Sequence, residues 1–142
     1  MRRIQLRADD GQAMVEFAMI LPLLVALLLG IVQFGIIFNN YETLTDASRV
    51  AARRAATSRF IGDNGASART AAKNAASNLN LTDSQIDIQS CLPPATYPCS
   101  PQDWTTTGDE VTVKLTYPYN IKILDWTVSS GNLTVIAKEA LE

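Results

Sequence analysis

The distribution of apolar residues divides the chain into two unlike parts. From Ala13 to Phe38 nearly every residue is apolar, and Glu16 is the only ionised side chain among these 26 positions. A helix needs about 20 apolar residues to cross a bilayer, so the stretch predicts a membrane-spanning helix. A secretory signal peptide would have a shorter apolar region ending at a small-residue cleavage site. Here the apolar run continues directly into residues 39–42, which favours retention in the membrane.

Helical periodicity continues past the apolar stretch. Positions that share one helix face follow each other at alternating spacings of four and three: Ile37, Tyr41, Leu44, Ser48, Ala51 and Ala55. We predict one helix from about Asp10 to about Phe60, roughly 75 Å long at 1.5 Å per residue. A second, short helix is predicted from about Ala66 to about Leu79, and it must pack on something because a helix this short is marginal in water.

The C-terminal part alternates apolar and polar residues with a period of two, which is typical of strands. Three segments show it: residues 85–91, residues 111–119, and the set Leu133, Val135 and Ala137. They predict a small antiparallel sheet that covers the second half of the long helix, and therefore an α+β fold. Residues 121–126 are left open between a strand edge, a turn that contacts a neighbouring subunit, and a loop that skims the membrane.

Composition and charge exclude several classes of function. The net charge is −2 and the chain has no histidine, so neither a strong basic field for nucleic acid nor a Ser/His or Cys/His nucleophile is present. The sequence also lacks a phosphate-binding glycine loop, a nucleophile elbow and EF-hand spacing of its acidic residues. We therefore predict no enzymatic activity, no cofactor and no metal. A basic cluster, Arg49, Arg53, Arg54 and Arg59, favours a solvated helix face over a contact with lipid headgroups or acidic neighbours.

Several features indicate export of the C-terminal part. Arg2, Arg3 and Arg7 precede the span, which favours a cytoplasmic N-terminus. Cys91 and Cys99 flank a short proline-rich loop, and a disulfide between them suits an oxidising compartment better than two free thiols. Such a bridge would stabilise the fold by about 2–3 kcal/mol. Apart from these features, Asn80 and Asn132 match the N-glycosylation sequon, a match that is frequent by chance.

Glu16 is the unusual residue of the apolar stretch. A carboxylate inside a membrane helix costs a few kcal/mol, so it needs a partner or a function unless it stays solvated at the interface. Its surroundings resemble the N-terminus of the TadE-like family in three segments: residues 7–11 (RADDG), residues 12–24 (QAMVEFAMILPLL) and residues 30–35 (GIVQFG). The strand at residues 111–119, with its Tyr-Pro-Tyr end, also resembles TadE-like heads.

TadE-like proteins are pilin-like components of tight-adherence (Flp-type) pilus systems. In the wider type IV pilin family a polar leader ends in Gly, an aspartyl prepilin peptidase cleaves after it, and Glu is the fifth mature residue. The resemblance therefore implies cleavage between Gly11 and Gln12. It also implies that Glu16 pairs with the new α-amine of a neighbouring subunit and so fixes axial register, since a misplaced subunit buries an unpaired charge. If the leader is retained, an arginine of the leader would replace the amine.

Three residues interrupt the apolar helix signal. Pro22 removes a backbone donor, and Gly30 and Gly35 let neighbouring helices approach closely. A segment that loosens on leaving the bilayer is the functional interpretation, and an ordinary membrane helix is the alternative.

These observations predict a leader (residues 1–11), a long helix (12–60, with a membrane anchor at 13–38 and a spine at 39–60) and an exported head (61–142). The predicted function is that of a structural pilin-like subunit, anchored in the inner membrane before assembly and extracellular in a Tad-type filament afterwards. Its partners would be further copies or other pilins, the prepilin peptidase and the inner-membrane assembly platform. Two alternatives remain: a minor TadE-like pseudopilin, and a single-pass adhesin-like or receptor-like protein.

Overall fold

The computed structural model describes residues 8–58, 65–91, 110–123 and 126–140. Its elements follow the chain as α1 (Ala8–Thr57), α2 (Ala66–Ala75), two 3₁₀ turns (Ser77–Leu79 and Asp83–Gln85), β1 (Ile86–Cys91), β2 (Glu110–Ile123) and β3 (Trp126–Ala140). The strands form one antiparallel sheet in the order β1-β2-β3. The predicted α+β class is confirmed: a long apolar N-terminal helix precedes a short helix and a three-stranded sheet.

The helix α1 contains 50 residues, which corresponds to about 75 Å. It ends at Thr57, three residues before the predicted end at Phe60. Pro22 lies inside α1. The proline removes one backbone donor, yet the helix continues on both sides of it.

The second helix is shorter than predicted. It ends at Ala75 rather than Leu79, because Ala76 leaves the helical region with φ −110° and the chain then forms a 3₁₀ turn. Gly65, just before α2, has φ 79°, a left-handed conformation that favours glycine. Asn80 ends the first 3₁₀ turn with φ 49°, a value that asparagine tolerates better than most residues.

The sheet extends further than the period-two pattern indicated. Residues 121–123 belong to β2 and Trp126 begins β3, with Ile123 opposite Trp126, so the described part of the open segment is strand. A register shift follows Ile121. Pro118 is tolerated inside β2 because β1 pairs only with Glu110–Leu115, and no described strand pairs with the other edge of β2 at Pro118.

The core lies where the second half of α1 meets α2 and one face of the sheet. Its helical part is mostly alanine, and its sheet part is β-branched or leucine: Leu44, Ala47, Ala51, Ala52, Ala55, Ala68, Ala72, Ala76, Leu79, Leu81, Ile86, Ile88, Val111, Val113, Leu115 and Val135. The predicted α1 face is buried from Leu44 onward, but Tyr41 remains 43% exposed. The buried part of this face therefore begins nearly two helical turns after Ile37, the first residue of the predicted face.

Candidate assembly surface on the N-terminal helix

The N-terminal half of α1 is not covered by the rest of the chain. No residue from 11 to 40 is buried, and Met14 and Met19 are 74% and 77% exposed. Sixteen large apolar side chains between Met14 and Phe38 are exposed in this way. Fully burying one such side chain is worth about 1.5–3 kcal/mol, so together they represent tens of kcal/mol of unsatisfied burial.

The same part of α1 meets the requirements for a membrane span. Within the described residues, one helix is long and apolar enough to cross a bilayer, and none of its most apolar window is buried against the protein. A soluble core helix of this composition would be covered by its own chain. The exposure therefore indicates a membrane anchor, as the sequence predicted.

Glu16 lies in the second turn of this surface. Its Oε1 accepts a hydrogen bond from Nε2 of Gln12 over 3.1 Å, a contact between residues four apart on one helix face. Among the described residues Glu16 forms no ion pair. A neutral amide satisfies only part of a carboxylate's capacity to accept hydrogen bonds, so Glu16 retains sites for a cationic partner.

The Gly11–Gln12 bond lies in the first turn of α1, since the helix begins at Ala8. Farther along, Gly30 and Gly35 leave open space around the position that a Cβ would occupy, with no atom within 4 Å. A large side chain from another helix can therefore approach α1 closely at either glycine. The roles predicted for Gly11, Gln12, Glu16, Pro22, Gly30 and Gly35 stay predictions.

The predicted glycosylation and disulfide residues lie at different positions in the head. Asn80 is exposed beside the first 3₁₀ turn, and Asn132 is exposed on β3 opposite Pro118. Cys91 is the last residue of β1, whereas Cys99 lies outside the described residues. The predicted Cys91–Cys99 disulfide therefore also lies outside the part of the chain that the structure describes.

Charged contacts join the small elements of the head. Lys73 Nζ on α2 lies 2.8 Å from Asp83 Oδ1, and Arg69 Nη1 donates to the backbone oxygen of Ile86 at the start of β1. The hydrogen bond and the charge of Lys73 lower the pKa of Asp83 below its ordinary value. These contacts fix α2 against the edge of the sheet.

One charged surface of α1 was only partly predicted from the sequence. Glu42, Asp46, Arg49 and Arg53 are all exposed, and their spacings of four, three and four place them within an arc of about 60° on one helix side. We call these four residues the charge stripe. Only its arginines were predicted as a solvated face; the 4-3-4 spacing in the sequence is the signal that connects them with the two carboxylates.

The four residues of the stripe form no ion pair with other described residues. Within residues 8–58 and the other described ranges, neither Arg49 nor Arg53 makes an ion pair. The two arginines also line an open groove beside α2, together with Asp46, Val50, Arg54, Thr57 and Ala71. The charges therefore remain available to a second molecule.

Comparison with known proteins gives one result. The model of a family described as TadE-like protein matches residues 11–53, which are 43 of the 142 residues. No curated protein and no solved structure matches the chain. The matched range contains the apolar surface, Glu16 and the charge stripe, and it stops before α2. The resemblance predicted from the N-terminal motif is thereby confirmed for the long helix, and it suggests a Tad pilus-associated protein with an apolar N-terminal helix.

Proposed function

We propose that this chain is a structural subunit that assembles through α1 into a Tad-type pilus filament. The observation that carries the proposal is the uncovered apolar half of α1, in which no residue from 11 to 40 is buried by the chain itself. Lipid covers this surface before assembly, and the helices of neighbouring subunits cover it afterwards. The head, held on the second half of α1, then faces the filament exterior.

In the proposed assembly, Glu16 fixes the axial position of each subunit relative to its neighbour. After cleavage between Gly11 and Gln12, the α-amine of a neighbouring subunit would replace the neutral amide of Gln12 as the main partner of the carboxylate. A charged pair in an apolar bundle is favourable only when both partners meet, because leaving one charge buried alone costs about 3–5 kcal/mol. Subunits in the wrong axial position are thereby disfavoured.

Electron microscopy of sheared surface material tests the proposal, with antibodies against the head to identify the subunit. Filaments labelled along their length are expected for the unaltered chain. The Glu16→Gln variant keeps the shape of the side chain but removes its charge, so we expect filaments to decrease at least tenfold. Glu139→Gln, which alters an exposed carboxylate on β3, is the matched control and should assemble normally.

The N-terminal mass of the purified subunit tests cleavage separately. A chain that begins at Gln12 supports processing after Gly11, whereas a chain that begins at Met1 rejects it. Normal filaments from Glu16→Gln would reject the register role even if the chain is processed.

A minor pseudopilin is the second candidate. The match to a TadE-like family model favours it, as does a head large enough to hold a sheet of three strands. In that case antibody label would occur at filament tips or bases, and deletion of this chain would reduce filaments made of another subunit.

A further inference from the structure

The charge stripe is self-complementary along the helix. Its order is negative, negative, positive, positive, and each acidic residue precedes a basic one by seven positions: Glu42 precedes Arg49, and Asp46 precedes Arg53. Seven residues correspond to about 10.5 Å along a helix and to nearly two full turns. A displacement of seven residues therefore keeps the same helix side in contact while it exchanges the sign of the opposing charge.

We propose that a second copy of this chain packs parallel to α1 with an axial displacement of seven residues, so that Glu42 and Asp46 of one copy face Arg49 and Arg53 of the next. The inference rests on the proposed function, in that both copies enter the contact from the same membrane. With no displacement, like charges would oppose each other along the whole stripe, which disfavours side-by-side packing in register.

The position of the stripe suits a contact between subunits. It lies on the side of α1 opposite the buried face that contains Leu44 and Ala51, so the head as far as the structure describes it leaves the stripe exposed. It also borders the open groove beside α2, which gives a neighbouring helix room to approach. Because neither arginine has an ion-pair partner among the described residues, no ion pair within that part of the chain needs to break first.

The apolar half of α1 accommodates the same displacement. Gly35 lies seven residues before Glu42, on the same helix side, and the space where its Cβ would stand is open. The displacement brings Leu28 of one copy to the level of Gly35 of the other, where a large side chain fits against a glycine. If the leader is removed, the same direction of displacement brings the α-amine of Gln12 to within about 4.5 Å of Glu16 along the axis.

An antiparallel pairing would also match opposite charges, because Glu42 would then face Arg53. Two copies anchored by their N-terminal halves in one membrane point the same way, and this excludes the antiparallel arrangement. The two arrangements differ in which residues meet, so a cross-linking experiment distinguishes them.

Zero-length carbodiimide coupling joins a lysine to a carboxylate only when the two are in contact. In the full-length Arg49→Lys variant we expect mass spectrometry to find position 49 joined to Glu42, and in Arg53→Lys we expect position 53 joined to Asp46. Residues seven apart in one helix are about 10.5 Å apart, close to the full reach of two extended side chains, so each product is sought in the covalently linked dimer after its separation from the monomer. Coupling of position 49 to Asp46, three residues away, is an internal control for reagent access. Control coupling without the 42–49 product, or coupling of position 53 to Glu42, would overturn the proposal.

Charge reversal gives an independent test. Arg49→Glu with Arg53→Glu should reduce assembled material at least about fivefold, since two attractive pairs at each contact become repulsive. Glu42→Arg with Asp46→Arg should do the same, and all four changes together should restore assembly. Glu139→Arg, an exposed reversal outside the stripe, is the matched control. If the variant with all four changes assembles no more material than either double variant, the charge pairing is refuted.

The outcomes separate this inference from the proposed function and from a lipid contact. Absence of filaments in the unaltered chain would contradict the proposed function, while the 42–49 product from membranes would still support the helix pairing. If Arg49→Glu with Arg53→Glu instead abolishes binding to phosphatidylglycerol vesicles and the fourfold variant does not recover assembly, the arginines contact headgroups and the proposal fails.

Discussion

Buried alanines join α1 and α2 in the head, and enlarging one of them should disrupt this packing. Ala72 on α2 is 0% exposed and belongs to the same cluster as Ala51 and Ala55 of α1. The Ala72→Leu change adds three carbon atoms where no space is available. Overpacking of this kind costs about 1–3 kcal/mol, while the intrinsic helix propensities of alanine and leucine are similar. We therefore expect the variant to lose about 1–3 kcal/mol of stability in the head.

Native-state hydrogen exchange of the full chain in detergent micelles measures this loss where it occurs. Amides of α2 should exchange about 5- to 150-fold faster in Ala72→Leu, provided that exchange follows the opening equilibrium. Ala75→Leu makes the same chemical change in the same helix at an exposed position, and should leave the exchange rates nearly unchanged. Equal rates in the two variants would refute the conclusion that α2 is held by close contact at its alanine face.

Two further predictions concern the contacts around α2 and the sheet. Lys73 lowers the pKa of Asp83 in the folded chain. The Lys73–Asp83 contact therefore stabilises the fold above the ordinary pKa of 3.8, and this stabilisation is lost as the pH falls through the lower pKa that Asp83 has in the folded state. Urea unfolding at pH 5.5 and pH 3 should therefore show a smaller acid destabilisation in Asp83→Asn than in the unaltered chain, and an identical difference would refute the coupling. At Gly131 a Cβ would lie 3.1 Å from the Tyr119 ring, so Gly131→Ala should be at least about 0.5 kcal/mol more favourable in a Tyr119→Leu background. A double-mutant cycle measured by unfolding checks this, and additive effects would contradict the contact.

The sequence predicted those parts of the fold in which one periodicity persists over many residues. The long helix and the buried face from Leu44 to Ala55 followed from the 3.6-residue repeat, and the strand at residues 111–119 followed from its alternation. The end of α2 was wrong because Ala76 leaves the helical region in an alanine-rich segment, where no side chain marks the change. The full length of the β2–β3 hairpin was missed because most of residues 126–134 are exposed on both faces. Such a strand is held by pairing with its neighbour and shows little apolar alternation.

The two parts of the candidate assembly surface, Glu16 and the charge stripe, were not equally easy to predict from the sequence. Glu16 was evident because a single charge interrupts an apolar run. The charge stripe was less evident because its residues lie among many other charged and polar ones, and its meaning depends on which α1 face the head covers. The burial of Leu44 and Ala51 confirms the predicted face and places the stripe on the opposite, exposed side of α1.

The energetics of the proposed assembly explain why polar contacts matter on a helix that is mostly apolar. Moving the N-terminal half of α1 from lipid to a bundle of like helices gains little from the hydrophobic effect, since lipid chains are as apolar as leucine. The sixteen exposed apolar side chains therefore favour burial, but their burial has a similar free energy in the membrane and in the filament. In the proposed assembly, contacts that exist only between correctly placed subunits must favour the filament. In the proposed assembly Glu16 would supply one such contact within the apolar half, and the charge stripe would supply others beyond it, outside the bilayer, where charged pairs would not bear the cost of burial in lipid.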